Sequence, residues 1–261
     1  MKIAVITKKN SYYGLRLLNL LKKENIPVDL AVIVNQSIGE AIRLFANVMR
    51  RIGLIETIFE SISIIHKDYL TSKIKIWRGF PWVRKYGELC NKVFYCSDPN
   101  SRQAAMELMN LQPDLILLGQ SGIIKDNVIK IPKIGVLNSH PGILPKYRGI
   151  DVVYWALYNN DIKGVGSAIH FVDAGVDTGP IIFTKRHTFS GRKSLIQIQE
   201  CVYEDCLNLF VRALRNIELI KPIRQNLSEG QQYHKMSRKI KAELNKRLTA
   251  DNFFMNRAVQ S

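Results

Sequence analysis

Three polar residues in two glycine-containing segments have side chains that could do chemistry together. Asn138 and His140 stand two apart at the end of a short apolar run, so both point to one side if that run is a strand. Asp177 lies between Gly175 and Gly179, in a segment that can bend sharply. An amide can stabilise a developing oxyanion, an imidazole can move a proton, and a carboxylate can orient the imidazole. The three residues therefore suit a reaction at a carbonyl carbon.

The same residue types also have a structural interpretation. Asn138 and His140 precede Pro141-Gly142, and asparagine before such a pair often simply forms a turn. A histidine near a turn is more often a surface residue than a catalyst. Residue types and spacing alone leave both interpretations open.

Buried strands that alternate with amphipathic helices are expected to position these residues. Residues 2–6 and Val28–Val34 read as buried strands, and a helix over Leu15–Lys23 lies between them. This order is typical of a βαβ unit and predicts a parallel sheet. The fold class is thus α/β, Rossmann-like, with a mostly parallel sheet and helices on both faces.

The same alternation continues towards the candidate residues. Val93–Tyr95 and Asp114–Leu118 are predicted strands, and between them Asp98 and Pro99 are typical of a helix start. Ligands of α/β sheets bind at the carboxyl ends of the strands. The turn after Leu118 and the segment after Leu137 should therefore line one cleft.

Two regions stand apart from this pattern. Residues 38–92 are predicted to be a helical insertion, in which aromatic and basic residues alternate. That insertion is either a membrane-surface or acceptor-binding element, or a helical hairpin packed on the sheet. The basic stretch over residues 221–261 is either a helix that touches RNA or lipid, or a solvated face or loose tail. The predicted domains are a catalytic domain, 1–190, and a small C-terminal helical and basic extension, 191–261.

Composition bounds the function classes only broadly. The net charge is +16, which favours anionic partners such as nucleotides, RNA or lipid but is also found in ordinary basic enzymes. No apolar run has membrane-spanning length and the first strand is unlike a secretory signal, so we expect a cytoplasmic protein without a transmembrane segment. The four cysteines lack metal-ligand spacing, and we expect free thiols and no metal.

Several short motifs resemble those of the folate-dependent formyltransferases. These are Asn138-Ser-His140, the Leu-Pro-x-Tyr-x-Gly pattern of 144–149, His170-Phe-Val-Asp173 and Val176-Asp-Thr-Gly179. The family includes glycinamide ribonucleotide, methionyl-tRNA and sugar N-formyltransferases. The resemblance implies transfer of a formyl group from 10-formyltetrahydrofolate to a primary amine.

The resemblance also implies a role for particular residues. Asn138, His140 and Asp177 match the catalytic trio of the family, and Asp173 is the rival carboxylate. Arg148 is a candidate contact for an anionic acceptor. Gly142 stands where the family commonly has serine, so a contact from that hydroxyl is lost. The residues that match folate-binding segments are Ser121, Gly122, Ile123, Ile124, Gly142, Ile143, Leu144 and Pro145.

The resemblance leaves the acceptor open. Methionyl-tRNA formyltransferases carry a C-terminal barrel, which the final stretch does not resemble, and Lys8–Gly14 makes a poor phosphate-binding loop for a glycinamide ribonucleotide. The chain length fits a nucleotide-linked amino sugar or a similar small amine best. The alternatives are methionyl-tRNA and a non-catalytic relative that binds a membrane or RNA. Peripheral membrane contact and a homodimer are further expectations.

Overall fold

The computed structural model describes residues 1–35, 86–188 and 194–249. The predicted helical insertion, residues 38–92, therefore lies almost wholly outside the described residues. Its last part is described: Tyr86–Glu88 forms a single 3₁₀ turn, and the third strand begins at Lys92. Within the described ranges, no helix is long and apolar enough to cross a membrane.

Seven strands of the described residues form one sheet, in the order β3-β2-β1-β4-β5-β7-β8. The strands β1 to β5 pair in parallel, whereas β5–β7 and β7–β8 are antiparallel. The predicted mostly parallel α/β sheet is confirmed. The strands of this sheet are β1 (Ile3–Lys8), β2 (Leu30–Val34), β3 (Lys92–Cys96), β4 (Leu115–Gly119), β5 (Gly135–His140), β7 (Gly166–Phe171) and β8 (Ile181–Arg186). Two further short strands, β6 (Tyr147–Gly149) and β9 (Gln231–Tyr233), pair with each other in parallel.

In the part of the chain that the structure describes, six helices accompany the strands. They are α1 (Tyr12–Lys23), α2 (Arg102–Leu111), α3 (Asp126–Ile129), α4 (Val152–Tyr158), α5 (Leu195–Asn216) and α6 (Arg238–Thr249). Short 3₁₀ turns at Ile162–Gly164, Ile217–Leu219 and Leu227–Glu229 connect some of them.

The sheet separates two apolar layers, and the alternation of side chains along the strands explains why both faces are covered. Val5 and Leu117 pack with α1 and α5, whereas their neighbours Ile6 and Leu118 pack with α2 and α3 on the other face. Strands buried on both faces are nearly all apolar, as the runs in β1, β2 and β4 are. Each fully buried aliphatic side chain contributes roughly 1.5–3 kcal/mol relative to an exposed one.

Two predicted helix starts were wrong. The first helix begins at Tyr12 rather than Leu15, because the Ser11 hydroxyl accepts a hydrogen bond from the Gly14 amide at 2.9 Å. The second begins at Arg102 with Ser101 as its N-cap, not with Asp98. The Asp98 carboxylate instead accepts from the backbone amide of Asn100 at 2.9 Å and closes a turn before the helix.

The described part of the C-terminal basic stretch is packed through its apolar residues, so its interpretation as a loose tail was wrong. Its basic residues Arg238, Lys239 and Lys246 are exposed, which agrees with the interpretation as a solvated face. Strand β9 pairs with β6, and Met236 beyond it is buried. Leu244 and Leu248 of α6 are also buried in the core. The division of the chain at residue 190 stays a prediction, although α5 packs directly on the sheet.

Candidate active site

The ends of two neighbouring strands, β4 and β5, bring the candidate residues to one edge of the sheet. Leu118 near the end of β4 is in register with Asn138 of β5, and Asn138 is in register with His170 of the antiparallel β7. His140 ends β5. Asn138 and His140 therefore lie next to the end of β4, at the carboxyl edge of the parallel strands, where ligands of α/β sheets bind.

His140 is held at both ring nitrogens. Its Nε2 atom lies 2.7 Å from the carbonyl oxygen of Tyr147, and its Nδ1 atom lies 3.3 Å from Oδ2 of Asp177. A carbonyl only accepts, so Nε2 carries a hydrogen. The nitrogen of His140 that faces the Asp177 carboxylate, and that carries no hydrogen in the neutral ring, is therefore Nδ1.

Asp177 lies in the loop between β7 and β8, in a left-handed backbone conformation with φ of 54°. One carboxylate oxygen accepts from the backbone amide of Gly149 at 2.9 Å and faces His140. The other lies 3.4 Å from the Asn138 amide nitrogen and 3.5 Å from Nε2 of His170. Three side chains, those of Asn138, His140 and His170, thus converge on the Asp177 carboxylate.

The rival carboxylate, Asp173, has a different place. Its Oδ1 accepts from the Gly175 amide at 3.0 Å and from the Thr178 hydroxyl at 2.5 Å. These bonds close the loop that carries Asp177. The preference for Asp177 over Asp173 agrees with this geometry.

His170 is a fourth member of the cluster, which the sequence interpretation treated only as part of a motif. Its Nδ1 lies 2.7 Å from the carbonyl oxygen of Phe171, so Nδ1 carries a hydrogen and Nε2 of the neutral ring can accept. The Asn138 amide nitrogen lies 3.3 Å from that Nε2. His170 and Asp177 together fix the orientation of the Asn138 side chain.

Burial and charge set the protonation of the central pair. Burial lowers the pKa of His140 below its usual value, and Asp177 opposes that shift only in part. Burial alone would raise the pKa of Asp177, but the imidazoles of His140 and His170 and the Gly149 amide hold it below its usual range. At neutral pH the pair is consequently a neutral imidazole beside a carboxylate.

A cleft of about 380 Å³ opens beside the cluster, a size in the range of small-molecule sites. Asn138, His140, Asp151 and Asp177 are on its wall, together with Tyr13, Tyr154, Gln199 and Tyr203. No lysine or arginine is among the described residues that line this cleft. The cleft is acidic to neutral, in contrast to the net charge of +16 of the whole chain.

The far wall of the cleft is rich in uncharged hydrogen-bonding groups. The Tyr154 hydroxyl donates to Oε1 of Gln199 at 2.6 Å, and Nε2 of Gln199 donates to the Tyr203 hydroxyl at 3.1 Å. The Tyr13 hydroxyl and the Ser139 hydroxyl are also buried, and both residues line the cleft. Burial raises the pKa of Tyr203 to about 12 and also raises that of Tyr13, so both remain uncharged phenols.

The residues predicted to bind folate lie around the cleft rather than all on its wall. Of the eight, all of them described, only Gly122 lines it. Ser121 is buried and donates to the Gly122 carbonyl at 3.1 Å, Ile123 is 79% exposed, and Ile124 packs in the core. Folate contact by these residues stays a prediction.

The other four, Gly142, Ile143, Leu144 and Pro145, form a turn behind His140. A Cβ at Gly142 would lie 2.9 Å from each of three atoms: Nε2 of His140, the Tyr147 carbonyl oxygen and a methyl of Val152. The position that commonly holds serine in the family is thus closed to a side chain here. Arg148 is not among the residues that line the cleft, and its guanidinium donates to the Gly230 carbonyl at 3.4 Å.

The sequence interpretation missed the far wall. Gln199 and Tyr203 are four apart on α5, so their common helix face could have been read from the spacing. Tyr13 and Tyr154 gave no such signal, since they belong to separate helices that only the fold brings together.

Comparisons with known proteins show which family and which fold this chain resembles. Residues 83–214, about half of the chain, match the family model described as formyl transferase. The methionyl-tRNA formyltransferase of Deinococcus radiodurans is 33% identical over 112 residues, which are 43% of this chain and 34% of that protein. The chain therefore spans about a third of the length of this relative.

Two solved structures share the fold. A sugar N-formyltransferase from a Shewanella species has a TM-score of 0.55 at 13% identity, with 94% of this chain and 87% of that chain covered. An N-formyltransferase from Helicobacter canadensis, in complex with folinic acid and dTDP-3-aminofucose, has a TM-score of 0.55 at 15% identity, with 95% and 80% covered. The chain belongs to the formyl transferase family, as the resemblance of its motifs predicted.

Proposed function

We propose that this protein transfers a formyl group from 10-formyltetrahydrofolate to a primary amine carried by a nucleotide-linked amino sugar. One observation carries the proposal: Asn138, His140 and Asp177 converge at the end of a cleft that can hold a small molecule. Membership of the formyl transferase family supports the reaction class.

The cleft beside Asn138 fits the formyl end of such a donor. Leu118 and Ile150 give apolar surface, and the backbone at Gly122 allows close approach of a flat ring. When bound, 10-formyltetrahydrofolate supplies an electrophilic carbonyl carbon attached to nitrogen. We assign contacts with the donor to Ser121–Ile124 and Gly142–Pro145.

The side chains of this protein stabilise charge and move a proton. The Asn138 amide donates a hydrogen bond to the formyl oxygen as negative charge develops there, a role that typically accelerates a reaction ~10²–10³-fold. Neutral His140 accepts a proton at Nδ1, and the adjacent Asp177 carboxylate stabilises the imidazolium that results. Overall, the amine nitrogen bonds to the formyl carbon and loses a proton, while the bond from that carbon to the folate nitrogen breaks and the nitrogen gains a proton.

The far wall of the cleft supports a sugar as the body of the acceptor. Tyr13, Tyr154, Gln199 and Tyr203 offer uncharged donors and acceptors that match the hydroxyl groups of a sugar ring. The Asp177 carboxylate attracts an ammonium group as it enters, whereas the Asp151 carboxylate is already paired with Lys241 at 2.6 Å. A phosphate would find no cation on the described cleft wall, so the nucleotide lies outside it.

Methionyl-tRNA is the second candidate acceptor. The identity to the Deinococcus radiodurans enzyme favours it, and so does the net charge of +16, which suits an RNA partner. The hydroxyl-rich wall argues against the apolar methionine side chain.

An acceptor panel tests the proposal. Purified protein is incubated with 10-formyltetrahydrofolate and either nucleotide-linked amino sugars, free amino sugars or methionyl-tRNA, and release of tetrahydrofolate and formation of a formamide are measured. We expect turnover with a nucleotide-linked amino sugar at least 100-fold above that with methionyl-tRNA. Turnover with methionyl-tRNA alone would establish the second candidate, and no turnover with any amine would point to a non-catalytic relative.

A further inference from the structure

The loop that carries Asp177 depends on hydrogen bonds from other segments of the chain to hold its position. Asp177 adopts a left-handed conformation, which residues other than glycine seldom take, although aspartate tolerates it. Its carboxylate must nevertheless satisfy Gly149, His140 and Asn138 together, at 2.9 to 3.4 Å. The bonds from Asp173 close the loop internally but do not tie it to the rest of the fold.

Gln225 supplies such a tie. Its side-chain Nε2 donates to the carbonyl oxygen of Asp177 at 2.9 Å and to that of Gly179 at 2.6 Å. The backbone next to it is fixed, because Ile223 and Ile181 exchange two hydrogen bonds of 2.8 Å at the start of β8. The amide group of Gln225 thus binds two carbonyls of the loop, and the backbone near Gln225 is itself hydrogen-bonded to β8.

The same C-terminal segment also acts on the carboxylate of Asp177. Tyr233 of β9 pairs with Gly149 of β6, whose amide donates to Asp177 Oδ2. The contact is close: a Cβ at Gly149 would lie 2.1 Å from the Tyr233 carbonyl oxygen, and its φ of 99° also favours glycine. Residues 223–233 therefore contact the backbone of Asp177 directly, through Gln225, and support its side chain indirectly, through Gly149. This segment follows the region that matches the family model, which ends at residue 214.

We propose that Gln225 is a positioning residue, whose amide holds the loop so that Asp177 stays against His140. The inference rests on the proposed roles of Asp177 and His140. Loss of the amide releases the two loop carbonyls, and the carboxylate then moves away from the imidazole. A displacement of about 1 Å in a catalytic group lowers a rate by roughly one to two orders of magnitude.

The test uses variants of the full chain. Gln225→Ala removes the side chain, and Gln225→Met keeps its length but removes the donor, so that one variant remains readable if the other fails to fold. Gln232→Ala is the matched control, because this glutamine lies in the same segment with an exposed side chain. Asp177→Asn serves as the reference for complete loss of the charge beside His140.

The main measurement is an NMR titration of the His140 imidazole, which needs neither formyl donor nor acceptor. We expect both Gln225 variants to lower the pKa of His140 in the direction of Asp177→Asn, whereas Gln232→Ala leaves it unchanged. Melting temperatures of the variants should stay close to that of the control. An unchanged His140 titration in both Gln225 variants, beside a clear change in Asp177→Asn, would overturn the proposal.

Activity gives a second, separate readout once an acceptor is known. We expect Gln225→Met to lower kcat about tenfold and to leave KM for the acceptor nearly unchanged. Equal losses in kcat for Gln225→Met and Gln232→Ala contradict a positioning role. If the protein does not transfer formyl groups at all, the titration still decides whether Gln225 positions Asp177.

Discussion

Nδ1 of His140 lies 3.3 Å from Oδ2 of Asp177, although one residue ends a central strand and the other belongs to a loop between two later strands. The opposite ring nitrogen is bound to the Tyr147 carbonyl. The imidazole is therefore fixed in one orientation, and the nitrogen that can gain a proton, Nδ1, lies on the side of the carboxylate. This relationship determines the pH dependence that the protein should show.

The Asp177→Asn variant should move the acid limb of the pH profile to lower pH. Burial lowers the pKa of His140, the Asp177 carboxylate raises it in part, and the neighbouring His170 lowers it. His140 must be neutral to accept a proton, so kcat/KM falls as pH drops through its pKa. Replacement of the carboxylate removes the largest influence that raises the pKa of His140, so that pKa falls. Profiles of kcat/KM against pH measure this, and a limb that stays in place or moves upward contradicts the assignment of Asp177 as the partner of His140.

His140→Ala should lower kcat by about 10²–10⁴-fold, the range expected for loss of a general base. The variant should keep its far-UV circular dichroism, because the buried ring contacts only the Tyr147 carbonyl of β6 and the Asp177 carboxylate through its nitrogens. His234→Ala is the control, since His234 is exposed and lies away from the cleft wall. If His140→Ala and His234→Ala have similar kcat values, His140 has no part in the reaction.

Asn138→Ala should lower kcat ~10²–10³-fold with little change in the KM of either substrate, because its amide acts on charge that develops only during the reaction. Steady-state kinetics at saturating donor separates the two parameters. A rise in KM at constant kcat would show that Asn138 binds substrate and does not stabilise the developing charge.

Gln199→Leu should raise the KM for an amino-sugar acceptor. The substitution removes the amide that links the Tyr154 and Tyr203 hydroxyls, and leaves both without that partner. Loss of one such hydrogen bond costs about 1 kcal/mol, which is a roughly fivefold rise in KM. The KM for 10-formyltetrahydrofolate, measured in the same assay, should not change. A rise in the KM for the folate alone would place the donor, and not the acceptor, against this wall.

Much of the sheet and the central trio could be predicted from the sequence, for identifiable physical reasons. Strands buried on both faces appear as continuous apolar runs, and parallel strands end at one edge, which places the turn after Leu118 next to Asn138. The prediction that Asp177 lies at this edge rested on the resemblance to a family, because the periodicity of a sequence does not predict the conformation of a loop.

The remaining parts depend on contacts between segments far apart in the chain. The role of His170 follows from antiparallel pairing of β5 and β7, which places it opposite Asn138. Strand β9 has three residues, too few for an alternating pattern, and only its pairing with β6 defines it. The Asp98 side chain could either cap a helix or close a turn, and the local sequence does not distinguish the two. In the structure Asp98 closes the turn and Ser101 caps α2.

Gly142→Ala tests whether the turn behind His140 must be free of a side chain. A Cβ there would lie 2.9 Å from His140 Nε2 and from the Tyr147 carbonyl, which are the two atoms of the bond that orients the imidazole. We expect a loss of about 1–3 kcal/mol in the free energy of unfolding, the usual penalty for overpacking, together with a lower kcat. Gly87→Ala is the matched control, because a Cβ there meets nothing within 4 Å. Urea unfolding and kcat for both variants give the comparison. If Gly142→Ala is as stable and as active as Gly87→Ala, the imidazole tolerates displacement and its hydrogen bond to Tyr147 does not set the geometry of the site.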